Sequence, residues 1–356
     1  MKTLITTLNS KYIHTSLSLR LLYVASYHHF DVDFKEYTIK DSLEHIVDDL
    51  LSMHLDMIAF SCYIWNIEYI DKLCHMLRQR QPDIILALGG PEVTYEPQYF
   101  LEHIPVDYIL SGEGEEIFPQ LLEALEKKQD VCLPGVSYRG HISSTVAVAD
   151  LKYVESLDSP YCLPQDQKDM SKRILYFETS RGCPFQCQYC LSSLEQGLRF
   201  FSEDYLKRQL NLICHSSAKT IKFLDRSFNA DANHAIMILD YIFKHYQEGQ
   251  QFQFEINADV LNQKIIDFIR EKAPKGLLRF EIGIQSTYEP TNRAVKRIQN
   301  FKRLSEVITM LMQDGQCDLH LDLIAGLPYE TYERFAQSFD DVFAFRAKEL
   351  QLGFLK

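Results

Sequence analysis

The hydrophobic pattern divides the chain into two runs of alternating strand and helix. Up to about residue 130, short β-rich stretches ("TLITTL", "DFKEYTI", "MIAFS", "IILAL", "DYIL") alternate with segments of helical period. In "EYIDKLCHMLRQR" Ile70, Leu73 and Leu77 share a face, and in "EEIFPQLLEALEKK" Ile117, Leu121 and Leu125 do the same. This alternation predicts an α/β fold, an open parallel sheet with helices on both sides. Ligands of such sheets bind at the carboxyl ends of the strands. Here those ends carry "TTLNSKYIHTS", "SCYIWN", "GGPEVTY" and "SGEGEE". Glycines in two of these loops let backbone approach a large ligand closely.

Past residue 131 prolines scatter, a hairpin pattern appears and no helical period persists. This places a first domain at residues 1–140, a linker at 141–170 and a second domain at 171–356. From Ile174 six strand patterns follow ("ILYFE", "TIKFL", "FQFEIN", "LRFEIGI", "DLHLDLI", "ELQLGFL"), separated by helical stretches. Ser202 is expected to cap one helix, with Glu203 and Asp204 in its first turn and Leu206, Leu210 and Ile213 on its buried face. Six strands and five crossovers predict an incomplete α/β barrel. The sequence stops at Lys356, just after the sixth strand pattern, so either the chain is truncated or something else covers that edge.

The second set of strands alternates strictly. Leu278, Phe280, Ile282 and Ile284 oppose Arg279, Glu281, Gly283 and Gln285; Phe252, Phe254 and Ile256 oppose Gln253, Glu255 and Asn257; Leu319, Leu321 and Leu323 oppose His320 and Asp322. A closed barrel of this class fills its interior with branched apolar side chains. Carboxylates and amides in their place either satisfy one another or surround a polar ligand, and the second reading is the one expected.

Composition narrows the chemistry. With 356 residues and 46% hydrophobic content the chain can bury two cores. No apolar run reaches membrane-spanning length and "MKTLITTLNSKY" lacks a signal-peptide core, which reads as cytoplasmic and without membrane. A net charge of −12 weighs against nucleic acid as a partner. Nine cysteines, an odd number, point to metal or redox use rather than a disulfide framework. Cys183, Cys187 and Cys190 follow the first barrel strand in "TSRGCPFQCQYCLSS", with no fourth cysteine close by. Zinc in a structural site takes four ligands. Three thiolates on a four-iron cluster leave one iron open for a substrate or cofactor.

At these residues the sequence resembles the radical SAM superfamily, whose signature is matched by Cys183, Cys187, Tyr189 and Cys190. The resemblance implies a [4Fe–4S] cluster whose open iron chelates S-adenosylmethionine and cleaves it reductively, giving a 5′-deoxyadenosyl radical that abstracts hydrogen. "FLDRSFNAD" with Asp225 resembles the family's second-strand segment. "EIGIQS", with Glu281, Gln285 and Ser286, resembles its fourth-strand segment that contacts adenosylmethionine, and "LIAGLPYET" its fifth-strand turn. The amino-terminal half is similar to the Rossmann-like (flavodoxin-like) cobalamin-binding domain fused to one branch of this superfamily. On that likeness Ser61 and Tyr63, Gly89 and Gly90, and Gly112, Glu113 and Gly114 lie in loops around cobalamin and its nucleotide tail. The lower-ligand pattern D-x-H-x-x-G fails at His14, which has Tyr12 two residues before it and Leu17 three after, so cobalamin without a protein imidazole is expected. Tyr63 and Trp65 pack either on a corrin face or on their neighbours.

The resemblance implies a cobalamin-dependent radical SAM enzyme, most often a methyltransferase acting on an unactivated centre of a small molecule or peptide, with an electron donor such as flavodoxin or ferredoxin. The alternatives are a cobalamin-dependent radical cyclase or oxidoreductase, a methylthiotransferase-type enzyme, and a corrinoid or redox sensor with a structural cluster. A methylthiotransferase needs three further amino-terminal cluster cysteines, and Cys62, Cys74 and Cys132 do not sit on equivalent loops.

Overall fold

The structure, a computed structural model, describes residues 1–194, 197–313 and 315–355; Lys356, the predicted end of the barrel segment, lies outside them. Contacts divide the chain into two compact units, Met1–Asp166 and Gln167–Lys356.

The first unit contains strands β1 (Thr3–Asn9), β2 (Val32–Thr38), β3 (Met57–Ser61), β4 (Ile85–Gly89), β5 (Tyr108–Leu110) and β6 (Val136–Tyr138). Its helices are α1 (Leu17–Ser26), α2 (Leu43–Ser52), α3 (Ile67–Arg80), α4 (Pro97–His103), α5 (Ile117–Glu126) and α6 (Leu151–Ser156). The sheet order is β2-β1-β3-β4-β5-β6, parallel except for β6 at the edge. Helices cover both faces, as the alternation predicts. Leu4, Leu8, Ile58 and Phe60 pack with Ile70, Leu73 and Leu77 of α3 on one side. Ile5, Met57 and Ala59 pack with Leu19 of α1 and with Phe118 and Leu121 of α5 on the other. The strand order reverses at β1, which puts the ligand crevice of this sheet at the carboxyl ends of β1 and β3.

Of residues 141–170, read as linker from the sequence, 141–166 pack with this unit and 167–170 with the second. Gly112 bridges to Ala147, and Asp166 clamps Arg20 with Nε to Oδ2 at 2.7 Å and Nη2 to Oδ1 at 2.6 Å. Glu36 is the guanidinium's second partner, 3.1 Å from Nη2. Burial alone would push the Arg20 pKa down, but the two carboxylates raise it. Prolines and polar residues hid this order, because it depends on single long-range contacts and not on a period.

The second unit runs β7 (Ile174–Phe177), β8 (Ser180–Gly182), β9 (Leu198–Phe200), α7 (Glu203–Cys214), β10 (Thr220–Phe223), α8 (Ala232–His245), β11 (Gln251–Ile256), α9 (Gln263–Lys272), β12 (Leu278–Gln285), α10 (Glu289–Ala294), α11 (Phe301–Met312), β13 (Cys317–Ala325), α12 (Tyr332–Phe343) and β14 (Glu349–Phe354). Six parallel strands stand in sequential order, β7-β10-β11-β12-β13-β14, the incomplete barrel that the sequence predicts. Ser202 caps α7, its Oγ accepting from the Tyr205 amide at 3.3 Å. The outward positions of β7, β10, β11, β12 and β13 are buried against the helices, whereas on β14 Leu352 and Phe354 are exposed. Phe177, Phe223, Phe254 and Phe280 form a continuous row with neighbouring ring centroids 5.2, 4.2 and 5.9 Å apart. Each such ring contributes about 1.5–3 kcal/mol of burial. The antiparallel pair β8–β9, which brackets the cysteine loop, has no counterpart in the sequence reading because three-residue strands are too short to show a period.

Candidate functional site

In the second unit, the loop after β8 carries the three cysteines. Cys187 is buried and Cys183 and Cys190 are half-buried, all three as free thiols. Burial pushes the Cys183 thiol up, opposed by a backbone hydrogen bond from Phe185 and by the positive charge of Arg226. Among the described residues the thiols do not converge as ligands of one ion would. A four-iron cluster takes one thiolate per iron, which suits a trio spread along a loop. Backbone bonds hold the loop: the Cys190 amide donates to Cys187 O at 3.0 Å, and the Gln188 amide donates to Val295 O at 2.9 Å.

Asp225 secures the entry to this loop. Only 1% exposed, it accepts from the Thr179 amide at 3.1 Å and from the Thr179 and Ser180 hydroxyls at 2.6 Å each. Desolvation raises its pKa despite these donors. Because the Thr179 proton points to Asp225, His234, 3.0 Å away through Nε2, must donate to the Thr179 hydroxyl. That fits an imidazole whose pKa is lowered by burial. Asp225 therefore acts here on the protein's own loop. Sequence reasoning missed His234, whose partner lies 55 residues away.

Inside the barrel the alternating polar side chains separate into two levels. Deep in the barrel they satisfy one another. Lys222 Nζ is 2.8 Å from Glu281 and 3.9 Å from Glu255, and Arg279 pairs with Glu349 through Nη1 at 3.0 Å. Burial alone would lower the Lys222 pKa, and Glu281 more than reverses that; burial raises the Glu255 pKa. Glu281, expected to face adenosylmethionine, is held by Lys222. At the carboxyl ends the accounting changes. Asn257 Oδ1, Asp259 Oδ1 and Gln285 Oε1 are buried without a hydrogen-bond partner among the described residues. Asp322 Oδ1 lies 3.2 Å from His320 Nε2 without the alignment of a hydrogen bond. Each unpaired buried acceptor costs about 1–3 kcal/mol. Gln285 also carries a φ of 66° beside a register shift in β12, left-handed backbone that a non-glycine residue rarely adopts. A ligand rich in N–H and O–H donors fits this rim, as the amino, ribose and adenine groups of adenosylmethionine would. Ser286 is turned elsewhere, its hydroxyl engaged with Glu330. Tyr189 is joined to Arg297, with Nη1 3.2 Å from its hydroxyl, and burial raises its pKa.

In the first unit the predicted loops gather at the crevice of β1 and β3. Ser18 Oγ lies 3.2 Å from Ser61 Oγ and 3.2 Å from Tyr63 OH. Asn66, fully buried, fixes the loop: Nδ2 reaches Thr7 Oγ1, Leu8 O and Ser61 O at 3.1–3.2 Å, and Oδ1 accepts from the Tyr63 amide at 2.8 Å. Tyr63 and Trp65 stack on each other at 4.4 Å. Sequence reasoning missed Ser18 and Asn66, which show only as ordinary polar residues. Tyr12 and Ile13 after β1, Ile64 and Trp65 after β3 and Tyr95 after β4 are exposed apolar side chains on loops at one edge. That edge suits a broad, flat, apolar ligand such as a corrin.

The glycine loops have different reasons. At Gly90 (φ 104°) a Cβ would lie 2.6 Å from Cys62 O, and at Gly112 (φ 101°) 2.2 Å from Ala147 O. Both glycines are required by the protein's own backbone. Gly89 has ordinary φ and room for a Cβ, and at Gly114 the obstacle is the flexible end of Leu22. Glu113 is turned inward, accepting from the Ala149 amide at 2.9 Å. Cys62 and Cys74 are core residues whose thiols burial pushes up, and Cys132 is exposed. The unit also has a cavity of about 640 Å³, with His29, Phe30, Glu123 and Tyr153 among its walls; none of the predicted cofactor residues lines it.

Residues 3–122 match the family model of the B12 binding domain, and residues 177–342 match that of the Radical SAM superfamily. The 2-(S-pantetheinyl)-carbapenam-3-carboxylate methyltransferase of Streptantibioticus cattleyicolor is 30% identical over 307 residues, 79% of this chain and 44% of that protein. The cobalamin-dependent radical SAM methyltransferase TokK of Streptomyces tokunonensis is 29% identical over 306 residues, with the same shares covered. This chain thus spans under half the length of both relatives. The radical S-adenosylmethionine methyltransferase TsrM from Kitasatospora setae, solved with cobalamin and a [4Fe–4S] cluster bound, shares the fold with a TM-score of 0.82 at 14% identity, over 99% of this chain and 72% of that one. With both family models matched in this order, the chain belongs to the radical SAM superfamily, with a B12 binding domain ahead of its radical SAM domain.

Proposed function

We propose that this chain is a cobalamin-dependent radical SAM methyltransferase. The carrying observation is the three-thiol loop set after the first strand of a parallel half-barrel whose rim holds unpaired acceptors. Cys183, Cys187 and Cys190 would hold the [4Fe–4S] cluster. Gln285 Oε1, Asn257 Oδ1 and Asp259 Oδ1 would accept from adenosylmethionine, each gaining a partner that no described residue supplies; the second oxygen of Asp259 accepts from the Asn300 amide at 2.9 Å. Tyr12, Tyr63 and Trp65, with Ser61, would line the cobalamin face of the first unit. When bound, these groups supply a one-electron cleavage of adenosylmethionine and a transferable methyl. The residues of this chain bind and orient them: Asp225 holds the entry of the cysteine loop, Asn66 holds the loop after β3, and Lys222 neutralises the carboxylates beneath the rim. A flavodoxin- or ferredoxin-type donor would reduce the cluster, and the acceptor would be a small molecule or peptide with an unactivated carbon or phosphorus centre. The test is anaerobic reconstitution with iron, sulfide and cobalamin, followed by reduction in the presence of adenosylmethionine labelled in its methyl group. Expected products are 5′-deoxyadenosine and labelled methylcobalamin. Absence of both from protein holding four irons and one cobalamin would refute the reading.

A further inference from the structure

The turn after α10 joins the cysteine loop to β12. Its Lys296 amide donates to Arg293 O at 3.1 Å and its Arg297 amide donates to Asn292 O at 2.8 Å, the paired bonds of a helix end closed by a left-handed residue. That residue is Lys296, at φ 53°, a position where glycine is the ordinary occupant. The strained turn aims the Arg297 guanidinium at three groups. Nη1 lies 3.8 Å from Cys187 Sγ and 3.2 Å from Tyr189 OH, and Nη2 donates to Gly283 O. Nε donates to Gln299 Oε1 at 3.0 Å, and Gln299 in turn donates to Ser286 O at 3.2 Å. Few rotamers remain open to a side chain held at so many points.

We propose that Arg297 is a positioning residue that sets the reduction potential of the cluster held by Cys183, Cys187 and Cys190. The inference rests on the reading that these cysteines hold a four-iron cluster. One-electron reduction adds a negative charge to the cluster and its thiolates. A permanent cation bonded to one cysteinyl sulfur favours that more negative state, and hydrogen bonds to sulfur are an established lever on such potentials. Arginine cannot lose its charge in this setting, and its fork reaches the sulfur and β12 together, which a lysine could not do. The carbonyl of Gly283 lies at the register shift that shapes Gln285, so the same guanidinium ties the cluster loop to the adenosylmethionine rim.

The experiment compares reconstituted wild type with Arg297→Met, Arg297→Gln and Arg297→Lys, in the full chain and without adenosylmethionine. Iron and sulfide content is measured first. A wild-type chain lacking a four-iron cluster would sink the cluster reading, and the inference with it, before any potential is recorded. The cluster is then titrated with dithionite and mediators under electron paramagnetic resonance. Arg297→Met is expected to hold four irons and to lose at least tenfold in the equilibrium constant for reduction, about 59 mV for one electron. Arg297→Lys should fall between Met and wild type. A Met variant with four irons and a constant within threefold of wild type would overturn the proposal. Should Arg297→Met fail to hold the cluster, Lys above Gln in potential supports the proposal and equal values overturn it. Loss of the cluster from all three variants with unchanged circular dichroism would also overturn it, in favour of a role in cluster assembly.

Discussion

The two sheets of this protein keep their polar chemistry in different places. In the first unit β1 and β3 are buried at every position, because helices cover both faces of the sheet. Polar groups that meet a ligand can then lie only at or beyond the strand ends, where Ser61 and Tyr63 are found with Asn66 holding their loop. In the second unit β11 and β12 are buried at every other position, because the curved sheet has helices outside and its own interior within. Polar groups can run the length of each strand there, and they do, from Arg279 through Glu281 to Gln285. A sandwiched sheet thus offers an edge, whereas a half-barrel offers a lined concavity. The first suits a large flat ligand and the second a flexible polar one.

If the two sites are independent in this way, removing one set of ligands should leave the other intact. Replacing Cys183, Cys187 and Cys190 together by alanine should abolish iron and sulfide uptake completely while cobalamin uptake by the full chain, read from its visible spectrum, persists. A triple variant that kept four irons would break the assignment, and one that lost cobalamin as well would break the independence. Next in size is Asp225→Ala. It strands the Thr179 amide and the Thr179 and Ser180 hydroxyls in a buried site, at about 1–3 kcal/mol for each unpaired group, less where neighbours relax. A net loss of about 3 kcal/mol is expected from denaturant unfolding, together with faster loss of iron. A change below about 1 kcal/mol would show that the clamp is dispensable.

The glycines sharpen the comparison within the first unit. Gly90→Ala puts a methyl 2.6 Å from Cys62 O on left-handed backbone, so about 1–3 kcal/mol of stability should be lost even without cobalamin. Gly89→Ala meets only Leu110 atoms at 3.6 Å and beyond, and should change the stability of the unliganded protein by less than about 0.5 kcal/mol. Any fall in cobalamin affinity with Gly89→Ala then reports the ligand alone. Equal losses of stability at the two positions would refute this division of roles.

Legibility followed the range of the interactions. The strands β7 and β10 to β13 of the half-barrel could be read from the sequence, because alternation such as Leu278, Phe280, Ile282 and Ile284 is a local consequence of one buried face; β14 keeps the alternation but leaves Leu352 and Phe354 exposed. The cysteine loop could be read because three thiolates at fixed spacing are local as well. The order of residues 141–166 could not, since it rests on Arg20 meeting Asp166 across 146 positions. The same holds for the pairing of Glu281 with Lys222, 59 residues apart. Alternation put Glu281 on the inner face, and only the fold shows that a lysine already occupies it. The sequence reading missed Arg297 because its partners lie 108 and 110 residues upstream.

The smallest expected effect tests whether the barrel interior carries charge as argued. His320, on β13, meets Asp322 on its own strand at 3.2 Å, Arg279 of β12 at 3.1 Å from Nδ1, and Glu349 of β14 at 3.7 Å. Arg279 can only donate, so its contact with Nδ1 favours the neutral ring. The carboxylate of Asp322, helped by Glu281, outweighs it and raises the pKa above the ordinary 6.5. For a histidine with a raised folded value, the stabilising contribution is complete below the unfolded pKa and is lost as pH rises through the folded one. His320→Gln should therefore destabilise the protein by a few tenths to about 1 kcal/mol near pH 6, and by less near pH 8. The check is the difference in unfolding free energy between wild type and variant across that range. A difference that stayed flat or grew with pH would mean that Arg279, and not the carboxylates, controls the imidazole.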